Sequence, residues 1–168
     1  YSDMELNVKD FVDSDSKAGF VVHAPELFKG SNLMDLASPD KKYRDKSIEE
    51  TQKVIELTKE LNKFFPKQDR PLIVANIGGF SMDKPIDINL KNDYYNRFSD
   101  SLAQLSTDGV EIIPQTMAPF PWHFGGQRYQ NLFVLPEEIV EKCVLMNLRI
   151  CLDVSHSMLT CNHFKIDF

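Results

Sequence analysis

Arg149-Ile-Cys-Leu-Asp-Val-Ser-His156 decides how the fold is read: a short apolar run ends by delivering an acid and an imidazole, Asp153 and His156, within four residues of each other. Three other segments have the same form, namely Phe20-Val-Val-His-Ala-Pro25, Leu72-Ile-Val-Ala-Asn-Ile-Gly-Gly79 and Val110-Glu-Ile-Ile-Pro-Gln-Thr116. Each is an apolar run that ends in a polar side chain and gives way to loop residues and then to a helical pattern. Strands are therefore expected near residues 18–23, 71–76, 110–114 and 148–153. The spacing predicts a helix from about 47 to 65, with Ser47 and Glu50 as a capping box. Ile48, Val54, Ile55, Leu57, Leu61, Phe64 and Phe65 are its apolar stripe. A second helix is expected near 90–106 with Phe98, Leu102 and Leu105 inward, and Pro136 opens a third at a position where its missing N–H costs little.

Strands alternating with helices of this length imply parallel strands joined by right-handed crossovers, so the class is α/β. Polar residues at the carboxyl end of every strand are what a (β/α)8 barrel gathers on its catalytic face, whereas a doubly wound sheet collects ligands at one switch point. A closed barrel needs eight strands and typically about 250 residues. Residues 1–168 therefore read as a single domain of about four βα units, a partial TIM barrel. An isolated half would leave strand edges unprotected, so a missing barrel half or a second chain is expected to complete it.

Composition narrows the partners. A hydrophobic fraction of 42% is enough for one core, while a net charge of −6 and a pI near 5.2 argue against broad binding of nucleic acid or anionic membrane. No apolar run reaches the roughly 18 residues of a membrane span, and no charged-then-apolar leader is visible. Cys143, Cys151 and Cys161 are odd in number and fit reduced thiols of a cytoplasmic protein.

Asp153 and His156 make chemical sense as a pair, since a carboxylate suits hard or borderline cations and an imidazole can ligate a metal or bind a hydroxyl. An Asp at a strand end is equally able to cap the next helix. His163, seven positions beyond His156, is expected to be surface or packing. The segment Met117-Ala-Pro-Phe-Pro-Trp-His-Phe-Gly-Gly-Gln-Arg-Tyr129 is unusually aromatic for a loop. Its rings could stack on a sugar face while Gln127, His123 and Arg128 meet hydroxyls or phosphate, with Trp122 the largest ring; the same rings could instead pack the loop onto the rim. No nucleophile elbow, phosphate-cradling Gly-x-x-x-x-Gly-Lys or zinc-finger cysteine spacing is present.

Taken together, Val22-His23-Ala24-Pro25, Ile77-Gly78-Gly79, Gln115-Thr116-Met117-Ala118-Pro119 and Leu152-Asp153-Val154-Ser155-His156 resemble the xylose-isomerase-like TIM-barrel superfamily over about residues 18–160. That group includes sugar-phosphate isomerases and epimerases and the endonuclease-IV-type apurinic endonucleases, whose members hold one to three divalent metals on the barrel's carboxyl face. The resemblance implies that His23 takes the place of a first-strand metal-binding histidine and that Asp153 and His156 are metal ligands. Asn76 falls where the endonuclease branch has a second histidine, and Gln115 where most members carry a glutamate that binds metal and serves the epimerases as base. An amide is a poor ligand for zinc-like metals and cannot accept a proton at neutral pH.

The resemblance implies a sugar or sugar-phosphate isomerase or epimerase that uses a divalent metal, zinc, manganese or magnesium, to assist proton transfer on a small polyhydroxylated substrate. The metal is expected to be weakly held by Asp153, His156 and His23. Gln115, Asn76, Trp122, His123 and Arg128 are expected to line the substrate pocket. The neutral residues at two ligand positions also fit a degenerate barrel that binds a sugar or a partner without turnover. Metal-dependent phosphodiester cleavage of the apurinic-endonuclease type fits least, given the acidic charge and the depleted ligand set.

Overall fold

The computed structural model of the chain describes residues 17–30, 32–119 and 128–168. In chain order its elements are β1 (Val21–His23), β2 (Leu27–Phe28), β3 (Asn32–Leu33), α1 (Lys41–Asn62), β4 (Leu72–Ala75) and β5 (Phe80–Ser81). A 3-10 turn, Ile88–Leu90, then leads into α2 (Lys91–Leu102), followed by β6 (Glu111–Pro114), β7 (Tyr129–Gln130), α3 (Pro136–Met146) and α4 (Val154–Phe164). The main sheet has the order β1-β4-β6 and both pairings are parallel. Consecutive strands are therefore neighbours, each reached by a helical crossover, which is the arrangement of a partial barrel.

The register explains which side chains share a face. Val22, Ile73 and Ile112 lie side by side, as do His23, Val74 and Ile113 on the next row. Because successive residues of a strand point to opposite faces, the first row and the second face opposite ways. Val22, Ile73, Ala75 and Ile112 join the main core with Val54 and Ile55 of α1, Tyr95 and Phe98 of α2, and Phe133. Phe98 and Phe133 are fully buried and meet edge to face with centroids 6.0 Å apart, and Tyr95 meets Phe133 at 5.3 Å. Pairs of this kind add about 0.5–1.5 kcal/mol to the area they bury. The opposite face, carrying His23 and, two residues beyond Ile113, Gln115, is the one that looks toward the inside of the barrel.

Several expectations need correction. The first helix starts at Lys41, not near residue 47, and Asp40 is its cap, its Oδ1 accepting from the Tyr43 amide at 3.1 Å. Ser47 and Glu50 form no capping box: Ser47 is buried within the helix, where its hydroxyl donates to Tyr43 O and accepts from the Asp35 amide. Nothing between Lys41 and Lys46 breaks a helix, so Asp40 wins as the earlier cap. The helix ends at Asn62 rather than 65, and α2 ends at Leu102 rather than 106.

The fourth strand, expected over 148–153, is reduced to one parallel bridge between Gln115 and Cys151. Cys151 N donates to Pro114 O at 2.8 Å and Thr116 N to Cys151 O at 3.0 Å. The ladder stops on either side for identifiable reasons. Leu148 N is spent on Cys143 O at the end of α3, and Asp153 N donates to the Thr116 hydroxyl at 2.9 Å instead of to backbone. At the amino end of the sheet Glu111 accepts both Arg149 Nε and Nη2 at 2.7 Å and lies 3.4 Å from Arg70 Nη1.

Candidate functional site

The carboxyl ends of the strands bring His23, Asn76, Gln115 and Asp153 to one rim. His23 Nε2 lies 3.3 Å from Gln115 Oε1, reaching over the intervening β4, while its Nδ1 lies 3.0 Å from Ala24 O. Gln115 is 3% exposed, and among the described residues its Nε2 has no hydrogen-bond partner. The amide has two polar atoms, and while Oε1 is engaged by His23, Nε2 is buried without a partner among the described residues. Leaving such an atom unmatched costs about 1–3 kcal/mol. That cost is recovered if a ligand oxygen or hydroxyl fills the position.

Asn76 is buried at the end of β4, and its Oδ1 accepts from Gly78 N at 3.2 Å. Gly79 N donates to Asp35 Oδ1 at 2.8 Å, so the glycine pair spends its amides on protein side chains and is not a vacant phosphate nest. The carbonyls of the pair accept in turn from Gln130 Nε2 at 2.6 Å and Asn131 Nδ2 at 2.8 Å.

Asp153 caps α4, with Oδ1 accepting from His156 N at 2.9 Å, so the cap that its position allows is formed. Its Oδ2 lies 3.5 Å from His156 Nδ1. That ring nitrogen is 2.9 Å from Thr116 O, to which it donates. Thr116 ties the third unit to the fourth: its hydroxyl accepts from Asp153 N at 2.9 Å and lies 3.1 Å from both Asp153 O and Ser157 Oγ. Asp153 and His156 thus stand side by side at the rim, each tied into the junction of the third and fourth units. Among the described residues no group of three His, Cys, Asp or Glu side chains stands close enough together to hold a metal ion. The donors present do not amount to a metal centre by themselves.

The structure brings His23 and Gln115 together, and separately Asp153 and His156. Arg128 contributes positive charge near Asp35 and Tyr43. Trp122 and His123 lie outside the described residues. His163 is exposed, with its ring edge-on to Phe164 at 4.8 Å, as expected of a surface position. The three cysteines form no disulfide.

Asp35 was not foreseen. It is 5% exposed, and burial raises its carboxyl to about 6 against the opposing pull of the Gly79, Ala37 and Phe80 amides and of Arg128. Its signal was in the sequence, as the one charge within Leu33-Met-Asp-Leu-Ala37. A lone acid in an apolar run is either an error of burial or a group with partners.

Comparison with known proteins agrees with this fold. The profile of the family described as xylose isomerase-like TIM barrel matches residues 4–165. A crystal structure of a D-tagatose 3-epimerase-like protein superposes with a TM-score of 0.56 at 22% identity, over 92% of this chain and 49% of that one. The chain therefore spans about half the length of that structure. No curated protein matches. Among the described residues no helix is long and apolar enough to cross a membrane.

Proposed function

Because the chain belongs to the xylose isomerase-like TIM-barrel family, we propose that it supplies half of the substrate site of an isomerase or epimerase acting on a sugar or sugar phosphate. The observation that carries this reading is the Gln115 amide, buried beside His23 with one polar atom unmatched at the strand ends. A polyhydroxylated substrate presents donors and acceptors at close spacing, and one of its oxygens or hydroxyls would complete that amide. Arg128, Trp122 and His123 would meet the remainder of the substrate from the long loop. Four further strands, from the same chain or a partner, would close the barrel over apolar side chains left exposed here, including Leu152, Val154 and Met158.

Asp153, His156 and His23 would be ligands of a weakly held divalent ion, zinc, manganese or magnesium, with the other donors supplied by the missing half. Such an ion polarises a carbonyl. Gln115 cannot take a proton, so it orients substrate and the proton-transfer base lies outside these residues. A cytoplasmic setting fits the reduced thiols. The test is exchange of carbon-bound hydrogen with solvent deuterium over a panel of ketoses and their phosphates, using the whole protein. Metal-dependent exchange that is lost in Asp153→Asn, with Gln115→Ala weakening binding more than turnover, is the expected result.

The neutral amides Asn76 and Gln115 favour one alternative, a barrel that binds sugar without converting it. A ketose that binds while showing no exchange under any metal would establish the alternative and overturn the enzyme.

A further inference from the structure

Three loops meet at Gly78-Gly79. The loop after β1 brings Asp35, the end of β4 brings Asn76, and the segment after β6 brings Gln130 and Asn131, and all four side chains bond the glycine backbone. Asp35 Oδ1 accepts from Gly79 N at 2.8 Å and from Ala37 N at 3.1 Å. Both glycines have positive φ, +88° and +82°. A Cβ on Gly78 would fall 2.3 Å from Asp35 Oδ1 and 2.4 Å from Asp35 Cα, so the carboxylate is seated directly against the loop.

We propose that Asp35 is a positioning residue for the site: its carboxylate holds the Gly78-Gly79 loop, and that loop, through the Gly78 amide, fixes the Asn76 side chain at the strand end. The part of this that concerns substrate rests on the function proposed above; the part that concerns Asn76 does not. Among the described residues, groups on three elements face Asp35. From α1 come the Tyr43 phenol, which donates to Leu33 O, and the Ser47 hydroxyl, which accepts from Asp35 N. From α2 come Tyr94 and Arg97, whose Nε donates to Ala37 O and whose guanidinium stacks 4.3 Å over the Tyr94 ring. Arg128 completes the set as a positive charge ahead of β7. Ionised, the carboxyl accepts from several amides at once; protonated, it is a weaker acceptor and the hold on Gly79 relaxes. With the carboxyl raised to about 6, this change falls between roughly pH 5 and 7.

The test is an amide titration of 15N-labelled protein from about pH 4.5 to 8. The Gly79 and Ala37 amide protons should shift together with one midpoint near 6, and the Asn76 side-chain amide should follow with the same midpoint. Asp35→Asn, which keeps an acceptor oxygen, should hold Gly79 in place and abolish the titration. Asp35→Ala should speed hydrogen exchange at Gly79 by at least tenfold; if that variant does not fold, the comparison with Asp35→Asn decides alone. Gly79 shifts that stay flat in the parent protein, or that titrate unchanged in Asp35→Asn, would overturn the assignment. So would an Asn76 amide indifferent to Asp35. The affinity for D-tagatose, used as probe, should change with the same midpoint in the parent and be independent of pH in Asp35→Asn. Failure of D-tagatose and the other ketoses to bind would count against the proposed substrate, while the amide titration would still decide the role of Asp35.

Discussion

At the scale of single residues, two glycines separate steric cost from backbone cost. Gly78 and Gly109 both have positive φ, but a Cβ at Gly109 meets nothing within 4 Å, whereas at Gly78 it would overlap Asp35. Gly109→Ala should therefore cost only the left-handed conformation, about 1–2 kcal/mol, and lower the melting temperature by a few degrees. Gly78→Ala has no flexible neighbour to displace and should cost well over that, or prevent folding; thermal melts of the two variants check the order. Asp35 also leaves a mark on stability. Its carboxyl is raised from 3.8 to about 6 in the folded protein, chiefly by burial, so the folded state binds the proton more tightly than the unfolded state. The favourable contribution is complete below about pH 4 and is lost as pH rises through 6, a change on the order of 3 kcal/mol. Urea unfolding of the parent and of Asp35→Asn should accordingly diverge between pH 4.5 and 7, with the variant relatively more stable at the higher pH.

At the scale of elements, Asp153 holds two positions at once, helix cap and rim carboxylate, and a pair of substitutions tells them apart. Asn caps as well as Asp, so Asp153→Asn should stay within about 0.5 kcal/mol of the parent, while Asp153→Ala should lose about 1 kcal/mol. Any metal affinity should fall in both. Chemical denaturation alongside calorimetric metal titration gives the two readouts. The same residue shows what could be read from sequence. The apolar runs located all the main-sheet strands, because a buried parallel strand must be apolar along its length. They also placed His23, Asn76 and Gln115 at the strand ends. Helix starts were less legible: Asp40 and Ser47 are both good caps, and the helix takes the earlier one, leaving Ser47 inside it and bonded to Asp35. The pairing of His23 with Gln115 was not legible, since it depends on strand register across β4, nor was the Asp35 contact, which joins loops distant in sequence.

At the scale of the whole molecule, Glu111 fastens the amino end of the sheet, bonded to Arg149 on the segment leading to the fourth strand position and near Arg70 ahead of β4. The hydrogen bonds from Arg149 come first among the causes that hold its carboxyl below the ordinary glutamate value. Its stabilising effect is therefore present above the unfolded value of 4.5 and fades as pH falls through the lower folded one. Both guanidiniums are largely in solvent, at 65% and 59% side-chain exposure, which keeps the gain small. Glu111→Gln should be slightly less stable at pH 7, and the difference should shrink in 1 M salt and fade as pH falls through the lowered folded value; matched denaturant curves test it. The order β1-β4-β6, with Cys151 next to Gln115, has a further consequence for how the chain reaches this state. Within the main sheet each strand pairs with the main-sheet strand synthesised before it, at sequence separations of roughly 36 to 51 residues. Closing each of these loops costs nearly the same entropy, so no pairing has to wait for a distant segment. The sheet can grow one unit at a time from its amino-terminal edge as the chain leaves the ribosome, each finished strand serving as the template for the next.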